Sequence, residues 1–213
     1  MLGNKEGWLV LKTFQHAGFT LIELLITLVI LGILLAVGLP SFSTWTQNAQ
    51  IRTAAEAIQN GLQLARAEAV RRNTLVRFQL TSSIDDGCII STTGNNWLIS
   101  LDDPTSACGH ALLNEEHPVS DTTNNPAPRI VQLRPAAEAG GRVTVSADNA
   151  VAVFNGFGRL APIAPSTTPL PLSINIDDVG GLGTFRSLRV TVSVGGQVRM
   201  CDPALAAGDP QSC

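Results

Sequence analysis

The chain has 213 residues, 45% of them hydrophobic and 15% charged, with a formal net charge of −3. Those proportions suit one globular domain plus an apolar anchor, and the negative balance argues against a body that binds nucleic acid non-specifically. Both lysines, Lys5 and Lys12, fall before residue 18, so the rest of the chain sets 12 arginines against 16 acidic residues.

Phe19 to Leu39 is a run of 21 residues in which Glu23 alone ionises. As a helix it reaches about 30 Å, the thickness of a bilayer's hydrocarbon core. A carboxylate in that layer costs at least ~2.5 kcal/mol on insertion scales, so it needs a cationic partner, and the run contains none. A cut after Gly18 would make one, the α-amino group of Phe19, four residues from Glu23. Lys5 and Lys12 on one side, with no Lys or Arg on the other before Arg52, favour a cytoplasmic N-terminus and a body in the periplasm. An ordinary signal peptide or signal anchor is the alternative, with Ala36-Val37-Gly38 as a small-residue cleavage site. Its apolar core would be about 7 to 15 residues long, shorter than this run, and it gives Glu23 no role.

Beyond Pro40, which marks a kink, Ile51, Ala54, Ala55, Ile58, Leu62, Ala65 and Ala69 recur at steps of three and four, one stripe of a helix that runs to about Arg72. The first half of this helix is apolar all round and suits lipid or a bundle; the second is amphipathic and needs a covering layer. That layer is read as β. Runs rich in Val, Ile, Leu and Thr follow at Leu75–Leu80, Cys88–Ser91, Trp97–Leu101, Arg129–Leu133, Arg142–Ser146, Val151–Phe154, Leu170–Ile176, Leu188–Val194 and Val198–Cys201, punctuated by Gly, Pro, Asn and Asp. The expectation is an α+β fold with antiparallel sheets on the helix, loops at 102–128 and 161–169, and a turn at Gly180-Gly181-Leu182-Gly183.

In the last strand pair, Val190, Val192 and Val194 alternate with Thr191 and Ser193. A two-residue Gly195-Gly196 turn would put Arg199 on the valine face. The expected loop is therefore Gly195-Gly196-Gln197, pairing Val194 with Val198 and Val192 with Met200, with Arg189 and Arg199 together on the other face.

The four cysteines fit the periplasm, where disulfides persist, and permit three pairings. Pairing by neighbourhood, Cys88 with Cys108 and Cys201 with Cys213, closes two short loops, each worth roughly 3 kcal/mol in the chain-entropy model. No Cys-x-x-Cys occurs and neither His110 nor His117 stands in a ligand pattern, so no metal or cofactor is expected. Ser, His and Asp form no nucleophile elbow, the paired Asp residues at 85–86, 102–103 and 177–178 suit turns, and no enzyme is read here.

Gly18-Phe19-Thr20-Leu21-Ile22-Glu23-Leu24-Leu25, with the apolar run and Pro40 after it, resembles the processing site of type IV prepilins and type II secretion pseudopilins. The resemblance implies a prepilin peptidase cutting after Gly18, N-methylation of Phe19, and Glu23 pairing with a neighbouring subunit's terminus during assembly. Phe154-Asn155-Gly156-Phe157-Gly158 and the ending Gly196-Gln197-Val198-Arg199-Met200-Cys201 resemble the GspH/FimT branch of pseudopilins and minor pilins. The organisation expected is a cleaved leader over 1–18, a transmembrane helix over 19–39, its amphipathic continuation over 40–72, and a periplasmic β-rich domain over 73–213. The implied function is a structural subunit of a type IV pilus or a type II secretion system in the inner membrane. Its partners would be the prepilin peptidase, other pilins or pseudopilins and the assembly platform, with no small-molecule substrate. Some members of the branch bind DNA through a tail motif Gly-Arg-x-Arg, of which Gly196 and Arg199 are present and Gln197 replaces the first arginine. A DNA-binding minor pilin using Arg186, Arg189 and Arg199 is the alternative reading.

Overall fold

The computed structural model describes residues 18–135, 142–180 and 185–213, with 37–41 by backbone alone. By its internal contacts the chain divides into Met1–Phe42 and Ser43–Cys213. One helix, α1 (Leu21–Arg72), enters both. In the first unit the described side chains of α1, from Leu21 to Ala36, are all exposed. Among the described residues no helix is long and apolar enough to cross a membrane. Positions 37–39 of the expected span, the kink expected at Pro40 and the leader before Gly18 lie outside the residues described with side chains.

The second unit is built on the amphipathic part of α1. All seven residues of the predicted stripe, from Ile51 to Ala69, are buried. The helix stops at Arg72 because Asn73 turns left-handed (φ 50°) and the Thr74 N–H reaches back to the Ala69 carbonyl at 3.2 Å, an end that asparagine tolerates. Arg71 and Arg72 sit in that last turn, where cations meet the free carbonyls favourably.

Two four-stranded antiparallel sheets follow. The strands are β1 (Val76–Thr81), β2 (Asn96–Ser100), β3 (Ile130–Arg134), β4 (Val143–Ala147), β5 (Val151–Phe154), β6 (Leu172–Asp178), β7 (Leu188–Val192) and β8 (Val198–Cys201). The first sheet runs β3-β2-β1-β5 and the second β4-β6-β7-β8. Strand β6 alternates with period two, its Leu172, Ile174 and Ile176 buried. Those residues join Phe78, Leu80, Trp97 and Phe154 of the first sheet and the stripe of α1 in one apolar cluster. The expected α+β architecture is the one observed.

Two sequence readings are corrected. Cys88–Ser91 is no strand: only Ile90 bridges Thr81, while Cys88 is tied to Cys108 and packs with Leu98 on the outer side of the first sheet. The last hairpin pairs Val192 with Val198 and Val190 with Met200, two residues from the expected register. A shift of two preserves the faces, so the valines stay inward. The loop is longer because the Val194 carbonyl is taken by the Leu160 N–H at 3.1 Å and Gly196 (φ 82°) is pressed against Gly158, whose carbonyl oxygen would lie 1.9 Å from a Cβ there.

Side chains replace regular structure elsewhere. Asn95 donates from Nδ2 to the Val143 carbonyl at 2.9 Å and accepts at Oδ1 from the Val145 N–H at 3.0 Å, so one amide pairs along β4 as a strand would. In the loop 102–128, buried Asn125 accepts from the Asn114 N–H at 2.7 Å and donates to the carbonyls of Asn114, His117 and Pro118. Of the expected turn at 180–183, Gly180 is described, its N–H donating to Asp178 Oδ2 at 3.0 Å; 181–184 lie outside the described residues.

Candidate assembly segment and C-terminal tail

At the head of α1, Thr20 acts as the N-cap: its Oγ1 accepts from the Glu23 N–H at 3.3 Å and its carbonyl from the Leu24 N–H at 3.1 Å. Thr20 and Glu23 have the spacing of a capping box, a local signal that the sequence reading did not use. The reciprocal half is missing: among the described residues no donor meets the Glu23 carboxylate, so capping does not consume its charge. Phe19 is 82% exposed. A Cβ at Gly18 would meet nothing within 4 Å, so packing gives no reason for glycine there. Among the described residues, no packing contact explains Gly18 or Phe19 and no hydrogen bond engages the Glu23 carboxylate.

The other end of the chain is closed upon itself. Cys201 is bonded to Cys213, and Cys88 to Cys108, the two pairings expected from neighbourhood. The Asp202 N–H donates to the Gln211 carbonyl at 2.8 Å, and Asp202 bridges Ser212 in parallel. Asp202 is buried and its carboxylate accepts from Arg186 Nε at 2.6 Å and from the Ala204 N–H at 2.9 Å. Burial disfavours the charged carboxylate, but Arg186 and the Ala204 N–H outweigh it and hold the carboxyl below its usual range.

The three arginines considered for DNA are engaged within the chain. Arg186 also donates to Gln211 Oε1 at 3.1 Å, and its N–H reaches Asn48 on α1. Arg189 donates to Asn175 Oδ1 at 2.6 Å. Arg199 donates to the carbonyls of Pro210 and Ser212 at 3.0 and 2.8 Å. Arg189 and Arg199 share one face of the second sheet as expected, but their guanidinium groups bond to the sheet and the tail, and the DNA reading is not carried further.

The loop 102–128 holds the main ion pairs. Arg129 grips Asp102 with Nε to Oδ2 at 2.7 Å and Nη2 to Oδ1 at 2.6 Å, which keeps the Asp102 carboxyl below its usual range. Glu68 near the end of α1 accepts from both Arg71 and Arg72, and both arginines also reach Glu115 of the loop. His117 approaches Asp121 at 3.7 Å. Among the described residues no group of His, Cys, Asp and Glu could hold a metal ion.

Among the described residues the Glu23 carboxylate, on the exposed part of the helix, meets no donor, whereas the arginines and carboxylates of the body brace the fold. The family model of the type II transport protein GspH matches residues 54–196, more than half of the chain. The chain belongs to the GspH family. The prokaryotic N-terminal methylation motif matches residues 14–39, across Gly18, Phe19 and Glu23. No curated protein sequence matches the chain. Among solved structures, the type IV minor pilin FimU of Pseudomonas aeruginosa is similar with a TM-score of 0.49 and 19% identity, over 79% of this chain and 98% of that one. The minor pseudopilin EpsH from the type 2 secretion system of Vibrio cholerae gives 0.41 and 11%, over 73% and 99%. E. coli GspH gives 0.40 and 14%, over 76% and 94%. As a GspH-family chain with a methylation motif, the protein is of the minor pilin and pseudopilin class, a class of structural subunits and not of enzymes.

Proposed function

We propose that the protein is a minor pilin or pseudopilin of an inner-membrane filament machine, a type IV pilus or a type II secretion system. Prepilin peptidase cuts after Gly18, Phe19 is N-methylated, residues 19–39 hold the chain in the inner membrane, and the body stands in the periplasm. The assembly platform then draws the helix into a filament with other pilins or pseudopilins. Glu23 pairs with the α-amino group of a neighbour's Phe19, and association is head to tail, without closing. The observation that carries this reading is the Glu23 carboxylate, which has no donor among the described residues and stands in an exposed apolar run within the matched methylation motif.

N-terminal mass spectrometry of the native protein tests processing: a chain that begins at N-methylated Phe19 is expected, and one that begins at Met1 or beyond Leu39 would end the proposal. Glu23→Ala tests assembly. The variant is expected to be cleaved normally and to be lost from sheared filaments; recovery there in normal amount contradicts the pairing.

A further inference from the structure

We propose that the cleft beside β5 takes an extended, uncharged peptide segment of another protein, laid parallel to β5 so that one of its residues bonds both the Val151 carbonyl and the Val153 N–H. On the β1 side, the Leu80 N–H donates to the Ala150 carbonyl at 2.8 Å, and the register sets Ala152 against Phe78 and Phe154 against Val76. Alternation then turns the main-chain groups of Val151, Val153 and Asn155 outward. Most of that outer row is used. The Asn155 N–H donates to the Arg159 carbonyl at 2.9 Å and the Asn155 carbonyl accepts from the Gly158 N–H at 2.8 Å. The Ala161 N–H donates to the Val153 carbonyl at 2.8 Å, and the Val151 N–H to Asn149 Oδ1 at 3.0 Å. The Val151 carbonyl and the Val153 N–H remain, and neither has a partner among the described residues. Val153 is buried, where an unpaired N–H is costly. The gap has a cause in the sequence: Pro162 follows Ala161, and with Pro165, Pro169 and Pro171 it leaves the loop across the cleft short of N–H groups.

Val151 and Val153 line a cleft of about 530 Å³ together with Ala152, Leu160, Leu170 and Leu172, and no charged side chain lines it. The complementarity is one of partial charge: a carbonyl oxygen and an N–H two residues apart are what a peptide backbone answers. Direction follows from which groups are taken. Antiparallel pairing exchanges both main-chain bonds of one residue, and Val153 has its carbonyl engaged and Val151 its N–H. A residue running parallel and lying opposite Ala152 donates to Val151 and accepts from Val153, so it closes the gap alone. Its side chain falls on the same face as that of Ala152, which belongs to the apolar cluster. A second copy fits less well. Two β5 strands related by a two-fold axis meet antiparallel, while Leu113 meets the β3 edge, Asn95 lies along β4 and the tail bridges the end of β8 at Asp202. Those edges are met within the chain, and β5 is left to recruit a strand from elsewhere.

The test puts p-benzoylphenylalanine in place of Leu170, an exposed residue of the cleft, in the full chain in its native cells, and maps the photo-adduct by mass spectrometry. The adduct is expected on an uncharged segment of another chain. Val153→Pro removes the N–H at an outward-facing edge position, where proline is tolerated, and is expected to lower the adduct yield about tenfold, the worth of one such bond. Thr168→Arg, at an exposed residue of the cleft, brings in a charge without altering β5 and is expected to lower the yield as well, even where Val153→Pro impairs folding. An absent adduct means that water alone fills the cleft and overturns the proposal. So does an adduct to a second copy of this chain, to lipid or to a charged segment, and so does a yield that both variants leave unchanged. None of these results depends on cleavage after Gly18 or on Glu23, so the site and the filament reading fail separately.

Discussion

Gly61 lets the Trp97 ring lie against the helix: a Cβ there would stand 2.7 Å from that ring and 3.0 Å from Phe78, and both rings are buried. Gly61→Ala would gain about 1 kcal/mol of helix propensity, but overpacking a core costs about 1–3 kcal/mol. The clash should win because neither ring has room to leave. The expected net loss of about 1 kcal/mol lowers Tm by about 2–4 °C, and a rise in the melting curve would mean that the ring yields. Gln79 has the opposite sign. It is fully buried on β1 and neither Nε2 nor Oε1 has a partner among the described residues. An unpaired buried amide costs about 1–3 kcal/mol, so Gln79→Leu should raise the denaturation midpoint, and an unchanged or lower midpoint would show the amide to be satisfied. Glu23 was legible in the sequence by contrast alone, one charge in a long apolar run. Asn125 was not, because a loop asparagine looks the same whether it binds four backbone groups or water.

Elements were legible where periodicity decides them. The stripe from Ile51 to Ala69 was read from spacing and is buried throughout. Eight of the nine expected strands formed; the ninth gave way to the Cys88–Cys108 bridge, a tertiary tie that strand propensity cannot anticipate. The hairpin register missed by two residues because contacts with Gly158 and Leu160, far away in sequence, decide where pairing stops. The tail is the element whose bracing most exceeds its sequence signal. Cys213→Ser should speed hydrogen exchange at 202–213 while the sheets stay protected, since Arg186, Asp202 and Arg199 still hold it. Tm should fall by no more than about 6–12 °C, the loss that roughly 3 kcal/mol of loop closure implies; a fall well beyond that would mean that the bridge supports the whole body.

Across the whole molecule, carboxylates tie loops to the frame. Asp102, Asp103, Asp202 and Glu68 are all held below their usual ranges, by hydrogen bonds from Arg129 to Asp102, from Thr105 to Asp103 and from Arg186 to Asp202; for Glu68, burial opposes ionisation, but Arg71 and Arg72 outweigh it. A carboxylate with a depressed folded pKa stabilises above its unfolded value, about 4 for Asp and Glu, and that stability is lost as pH falls through the folded value. Thermal stability is therefore expected to be level above about pH 5 and to drop below about pH 4. A maximum near pH 4 would contradict these assignments. The fold class was readable from the whole chain because one helix and many short strands leave few ways to share a core. Gly18, Phe19 and Glu23 were readable only as a motif, since no contact among the described residues singles them out.

The Asn95 amide has a consequence for crowding. β4 ends its sheet, and an open flank of that kind recruits strands from other chains. With a side chain lodged along that flank, the Val143 carbonyl and the Val145 N–H are already taken, and the β4 edge offers amyloid-like stacking a poorer template.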